Sequence, residues 1–127
     1  SSQSLTLPIA AVEETEDLKD ENEAYTYTEV SPEFKNGKNA LAEFIKKNLI
    51  YPKDAASISL EGKVTLQFIV DENGNVSDIQ IIQGLITSID TEAIRLAKLT
   101  NGMWKPGTQN GKAVKTYYTM EIKFKLK

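Results

Sequence analysis

The sequence predicts an α+β two-layer sandwich, with two helices packed on a small antiparallel sheet in the order β-α-β-β-α-β. Three observations predict it. Two stretches space their apolar residues at helical intervals. Two apolar runs flank an Asn-Gly turn. The last stretch, Val114–Leu126, alternates, with Val114, Tyr118, Met120, Ile122, Phe124 and Leu126 apolar and the odd positions mostly polar. A chain of 127 residues, 40% hydrophobic and 26% charged, can bury roughly two-thirds of its unfolded surface, enough for one core.

The first readable element is Tyr25–Ser31, a β-prone alternation ended by Pro32. Asn36-Gly37 marks a turn. Asn39–Leu49 then places Leu41, Phe44, Ile45 and Leu49 on one stripe, the pattern of an amphipathic helix. Pro52 disfavours helix at Tyr51 and can open a further short turn over Lys53–Ser57. Lys63–Val70 has Val64, Leu66, Phe68 and Val70 on one face. Asn73-Gly74 is a hairpin signal, and Val76–Ile82 is the return strand. Val76 is out of phase with Ile79 and Ile81, so a bulge is expected near Ser77 or Asp78. Ser88–Lys98 reads as the second helix, with Ile89, Ala93, Leu96 and Ala97 inward and Ser88 or Asp90 as N-cap. Met103–Lys112 is a turn-rich connection into the final strand.

Composition excludes several kinds of chemistry. There is no cysteine and no histidine, so thiol nucleophiles, disulfides, Ser–His catalysis and zinc ribbons are out. The net charge of -3 gives no global pull toward nucleic acid. That charge is uneven. Residues 1–35 hold nine acidic and two basic residues, while the rest holds nine acidic and thirteen basic ones. Residues 1–24 therefore read as an acidic flexible linker and residues 25–127 as the folded domain. No run of about 18 apolar residues exists to insert in a membrane, and Ser1 does not open a signal-peptide pattern.

The carboxylates do not assemble a catalytic set. The candidates are Asp78, Asp90 and Glu92; Asp90 and Glu92 point apart at a helix start, where capping and dipole complementarity account for them. Asp71-Glu-Asn-Gly lacks the spaced ligands of a calcium loop and reads as a turn around Gly74. No metal set and no phosphate loop is expected, nor any cofactor. Trp104, with Pro106 and Gly107 after it, is expected to plug one end of the sheet; a partner-binding anchor is the alternative. Lys115, Lys123, Lys125 and Lys127 on the last strand are consistent with a guarded edge or with a docking edge.

Seven pieces occur together in one order. They are Leu41–Leu49 with Tyr51-Pro52, Glu61–Val64, Phe68–Val76, Asp90–Arg95, Trp104–Gly107, Asn110–Lys112 and the strand ending Ile122–Leu126. In this the chain resembles the TonB C-terminal domain family, over about residues 25–127. Val30–Phe34 is similar to the family's entry segment. The resemblance implies a non-enzymatic periplasmic module of a Gram-negative envelope. It implies a parent chain anchored in the inner membrane with an ExbB/ExbD-type complex. It also implies capture of the TonB box, an extended peptide of an outer-membrane transporter, as a strand added beside the last strand. The residues so implicated are Thr116, Tyr117, Tyr118, Thr119, Met120, Glu121, Lys123 and Lys125, with Tyr51 and Pro52 near the transporter plug. A homodimer by strand exchange is a further possibility for the family. The acidic lead-in lacks the Pro-Lys and Pro-Glu repeats of a periplasm-spanning spacer. A TonB-like interaction or self-association domain of an envelope sensor or accessory protein therefore stands as the alternative.

Overall fold

The structure, a computed structural model, describes residues 23–127. The linker expected over residues 1–24 lies outside the described residues except for Glu23 and Ala24. The elements are β1 (Glu33–Phe34), α1 (Lys38–Asn48), α2 (Lys53–Ser57), β2 (Gly62–Val70), β3 (Val76–Gln83), α3 (Thr87–Leu99), β4 (Trp104–Lys105), β5 (Gly107–Gln109), β6 (Lys112–Val114) and β7 (Thr116–Phe124).

The main sheet has the order β3-β2-β7, antiparallel throughout. Its inner face carries Val64, Leu66, Phe68 and Val70 of β2 and Met120, Ile122 and Phe124 of β7, all buried. Ile89, Ala93, Leu96 and Ala97 of α3 and Leu41 of α1 close over them, giving the α+β two-layer arrangement. The periodicities of 3.6 and 2 in the sequence are the direct cause, since each sets one apolar face.

The hairpin turn and the bulge form where expected. The Asp71 carboxylate accepts the N–H groups of Asn73 and Asn75 at 2.8 and 2.9 Å. Gly74 has φ 82°, and a Cβ there would lie 2.3 Å from the Trp104 carbonyl oxygen, so only glycine fits. The β2–β3 register shifts between Gln67 and Ile69, opposite Asp78 at φ 56°, which restores the phase of Ile79 and Ile81.

Two expectations need correction. The Tyr25–Ser31 alternation does not form a strand. Its backbone meets two different partners, Thr116 in a parallel bridge at Tyr25 and Thr108 in an antiparallel bridge at Val30, so no continuous ladder develops. Neither Ser88 nor Asp90 caps α3. The N-cap is Ile86, with no side-chain cap. Ser88 Oγ donates to Asp54 at 2.7 Å, and Asp90 reaches back to accept the Leu85 N–H at 2.8 Å. The connection after α3 is also more regular than its turn residues imply. β4 pairs with β1, and β5 with β6, in two small sheets.

Candidate functional site

β7 is the element that defines the site. It pairs with β2 from Gly62–Phe124 to Val70–Thr116 over nine residue pairs without a register shift. Its other side is an edge of the sheet. The direction of its backbone groups follows from one bond. The Tyr117 N–H donates to the Tyr25 carbonyl at 2.9 Å, away from β2. Backbone groups alternate along a strand with a period of two. Those of Thr119, Glu121 and Lys123 therefore also point outward, and those of Met120 and Ile122 point to β2. Among the described residues no backbone group pairs with the outward N–H and C=O of Thr119, Glu121 or Lys123.

Beside this edge runs a groove of about 880 Å³, walled by α1 on one side and Tyr118–Lys125 on the other. Leu41, Ala42, Ile45 and Leu49 supply its apolar wall. Lys38, Lys46, Lys123, Lys125 and Lys127 line its rim, with Glu121 the one acidic group. Among the described residues none of the five lysines has an ion-pair partner, whereas Glu121 pairs with Lys63 at 3.3 Å.

Of the expected partner-binding residues, the groove brings together Tyr118, Thr119, Met120, Glu121, Lys123 and Lys125. Thr116 and Tyr117 lie under the Tyr25 segment instead, and Thr116 is buried. Tyr51 lies near the far end of β7, edge-on to Phe124 at 5.8 Å, with its hydroxyl donating to the Leu60 carbonyl. Pro52 is the N-cap of α2. Burial, then the charge of Glu61, pushes the Tyr51 phenol up; burial, then Glu33, does the same for Tyr118. Both hydroxyls stay protonated in ordinary buffers.

The floor under the other end of β7, near Tyr118, is aromatic. Trp104 is buried and packs on Tyr118 at 4.6 Å, Phe68 at 5.4 Å and Phe34 at 5.5 Å. Its Nε1–H donates to Thr100 Oγ1 at 2.9 Å. Pro106 separates β4 from β5. A Cβ on Gly107 would lie 2.5 Å from Thr116 Oγ1, so its bare backbone lets β5 approach the start of β7.

Two contributors were not legible as site residues. The α1 lysines and Ala42 sit outside the apolar stripe, so only the docking of α1 beside β7 makes them a wall. Glu92 reads as a dipole partner in sequence but is buried. It accepts the Ile50 N–H at 2.7 Å and both Arg95 Nε and Nη2 at 2.7 Å, while Arg95 also donates to the Asn48 carbonyl at 2.8 Å. This clamp holds the end of α1. Burial opposes ionisation of Glu92, but Arg95 and the Ile50 N–H outweigh it and hold its pKa below the usual carboxylate value. The Glu92–Arg95 spacing of three residues was the available signal.

A regular open strand edge beside an apolar groove is the equipment of a protein-interaction domain that works through its backbone. The chain belongs to the family described as Gram-negative bacterial TonB protein C-terminal, whose model matches residues 47–126. It is thus a TonB-like periplasmic domain, a non-enzymatic interaction module. Among solved structures it is similar to the Helicobacter pylori TonB C-terminal domain in a longer form, at 22% identity over 68% of this chain and 78% of that one, with a TM-score of 0.55. A shorter form of the same domain gives 21% identity, 70% and 92% coverage and a TM-score of 0.54. The Pseudomonas aeruginosa TonB domain is 25% identical over 61% of this chain and 78% of that one, with a TM-score of 0.49. At these identities the Helicobacter likeness is one of fold. No curated protein matches the sequence. Among the described residues no helix is long and apolar enough to cross a membrane.

Proposed function

We propose that this domain captures the TonB box of an outer-membrane transporter as a strand added to the free edge of β7. Its parent chain is held at the inner membrane with an ExbB/ExbD-type complex and transmits force for nutrient uptake. Residues 25–127 form the gripping domain, and residues 1–24 act as its tether. The observation that carries the reading is the unpaired outward backbone of Thr119, Glu121 and Lys123 beside the apolar wall of α1. Family membership supports it. Titration of 15N-labelled protein with a TonB-box peptide is expected to shift the amides of Thr119–Lys125. Shifts confined to other elements, or none, would overturn the strand-addition mechanism.

The same edge also fits a second copy of the domain. An antiparallel β7–β7 pair is self-complementary, as a two-fold dimer requires. Sedimentation across protein concentration separates the readings: a monomer that binds peptide favours capture, and a peptide-independent dimer favours self-association.

A further inference from the structure

The groove carries information about which peptide it accepts. A strand added to β7 presents its side chains alternately to the two faces of the sheet. Those on the helix side meet Leu41, Ile45 and Leu49. Those on the open side stand beside Thr119, Glu121, Lys123 and Lys125. Glu121 is engaged by Lys63, so the charge left facing an incoming strand there is that of Lys123 and Lys125. Lys38 and Lys46 on α1 and Lys127 at the chain end add the same sign around the rim.

Resting on the strand-addition reading, we propose that this groove selects an extended peptide whose side chains alternate apolar and acidic. The apolar residues pack on Leu41, Ile45 and Leu49, and the carboxylates stand beside Lys123 and Lys125. Charge complementarity at such a rim acts mainly on partner choice and association rate. Opposite charges on adjacent strands add to the pairing, and like charges oppose it.

The test uses the full chain and three labelled seven-residue peptides, alternating Val with Glu, Val with Gln and Val with Lys. Affinity is read by fluorescence anisotropy at low and high salt, and the site by amide shifts. The Glu peptide should bind about threefold to tenfold tighter than the Gln peptide, the range for two exposed ion pairs. The Lys peptide should bind weakest, and the gaps should narrow in high salt. The double substitution Lys123→Glu and Lys125→Glu should reverse the order, and Lys123→Gln with Lys125→Gln should flatten it. Both pairs are exposed, so an unchanged dispersed spectrum serves as the folding control.

Equal affinity for the Glu and Gln peptides, with Thr119–Lys125 still responding, overturns the acidic preference and leaves strand addition standing. If none of the peptides moves those amides, both readings fall. If raising the protein concentration alone reproduces the shifts, the occupant is a second copy and the peptide proposal is overturned.

Discussion

The sheet has two edges, and they are built differently. β3 flanks β2 on one side, with register shifts at Thr65/Leu66 and Gln67/Ile69 and a left-handed residue at Asp78. β7 flanks it on the other, in unbroken register for nine pairs. Bulges twist an edge away from foreign strands, whereas a flat edge is a template guarded only by its side chains. The comparison teaches that this domain breaks the register of one edge and keeps the other regular, with lysines placed where they can guard it.

The largest effect on this contrast comes from beneath β7. Trp104→Ala removes the ring under Tyr118 and Phe68 and should cost about 3–5 kcal/mol of stability, read by chemical denaturation. An effect below about 1 kcal/mol would mean that the aromatic floor does not support the regular edge.

Next come paired proline substitutions on β7. Met120→Pro removes an N–H that points to β2 and should destabilise the fold by about 1–3 kcal/mol more than Thr119→Pro, whose N–H points outward. Thr119→Pro should instead weaken peptide binding, measured by calorimetry. Equal destabilisation by both would contradict the assigned strand faces.

A smaller effect tests the groove wall. Glu92→Gln removes the charge and one of the two oxygens that accept from Arg95 and the Ile50 N–H, setting an amide donor against a donor, and should cost about 1–3 kcal/mol at neutral pH. The folded-state pKa of Glu92 lies below its unfolded value, so its contribution is full above the unfolded pKa and is lost as pH falls through the folded one. Wild type and variant should therefore converge in stability only as the pH falls through the lowered folded-state pKa, below the usual carboxylate range. A gap unchanged down to that acidity would show that the carboxylate charge is not what holds the loop. Peptide binding at β7 should weaken in the variant while the β2–β3 hairpin keeps its amide shifts.

The smallest effect concerns the guards. Lys123→Thr with Lys125→Thr should raise self-association a few-fold, seen by sedimentation. Gln80→Thr with Gln83→Thr on β3 should leave it unchanged. Association through β3 as readily as through β7 would erase the distinction between the edges.

Much of this was legible in the residues. The alternation within Val114–Leu126, which the fold realises as β7 over Thr116–Phe124 while Val114 joins β6, the stripes of α1 and α3 and the Asn73-Gly74 turn were readable because each is a local signal: one apolar face, one period, one backbone conformation that glycine permits. Even the bulge at Asp78 was visible as a phase error. The Tyr25–Ser31 alternation misled for the same reason. It shows β-propensity, but pairing needs one continuous partner, and the fold offers that segment two.

The sequence by itself determined the two-layer class, the faces of its elements and the absence of histidine and cysteine chemistry, because these depend on residue type and spacing alone. Only the tertiary structure decided which strand is an edge, that Tyr25 already covers the start of β7, and that the lysines of α1 and β7 rim one groove. It also turned Glu92 from a helix-end charge into a buried clamp. Those facts join residues far apart in the chain, and their spacing in sequence carries no record of their distance in space.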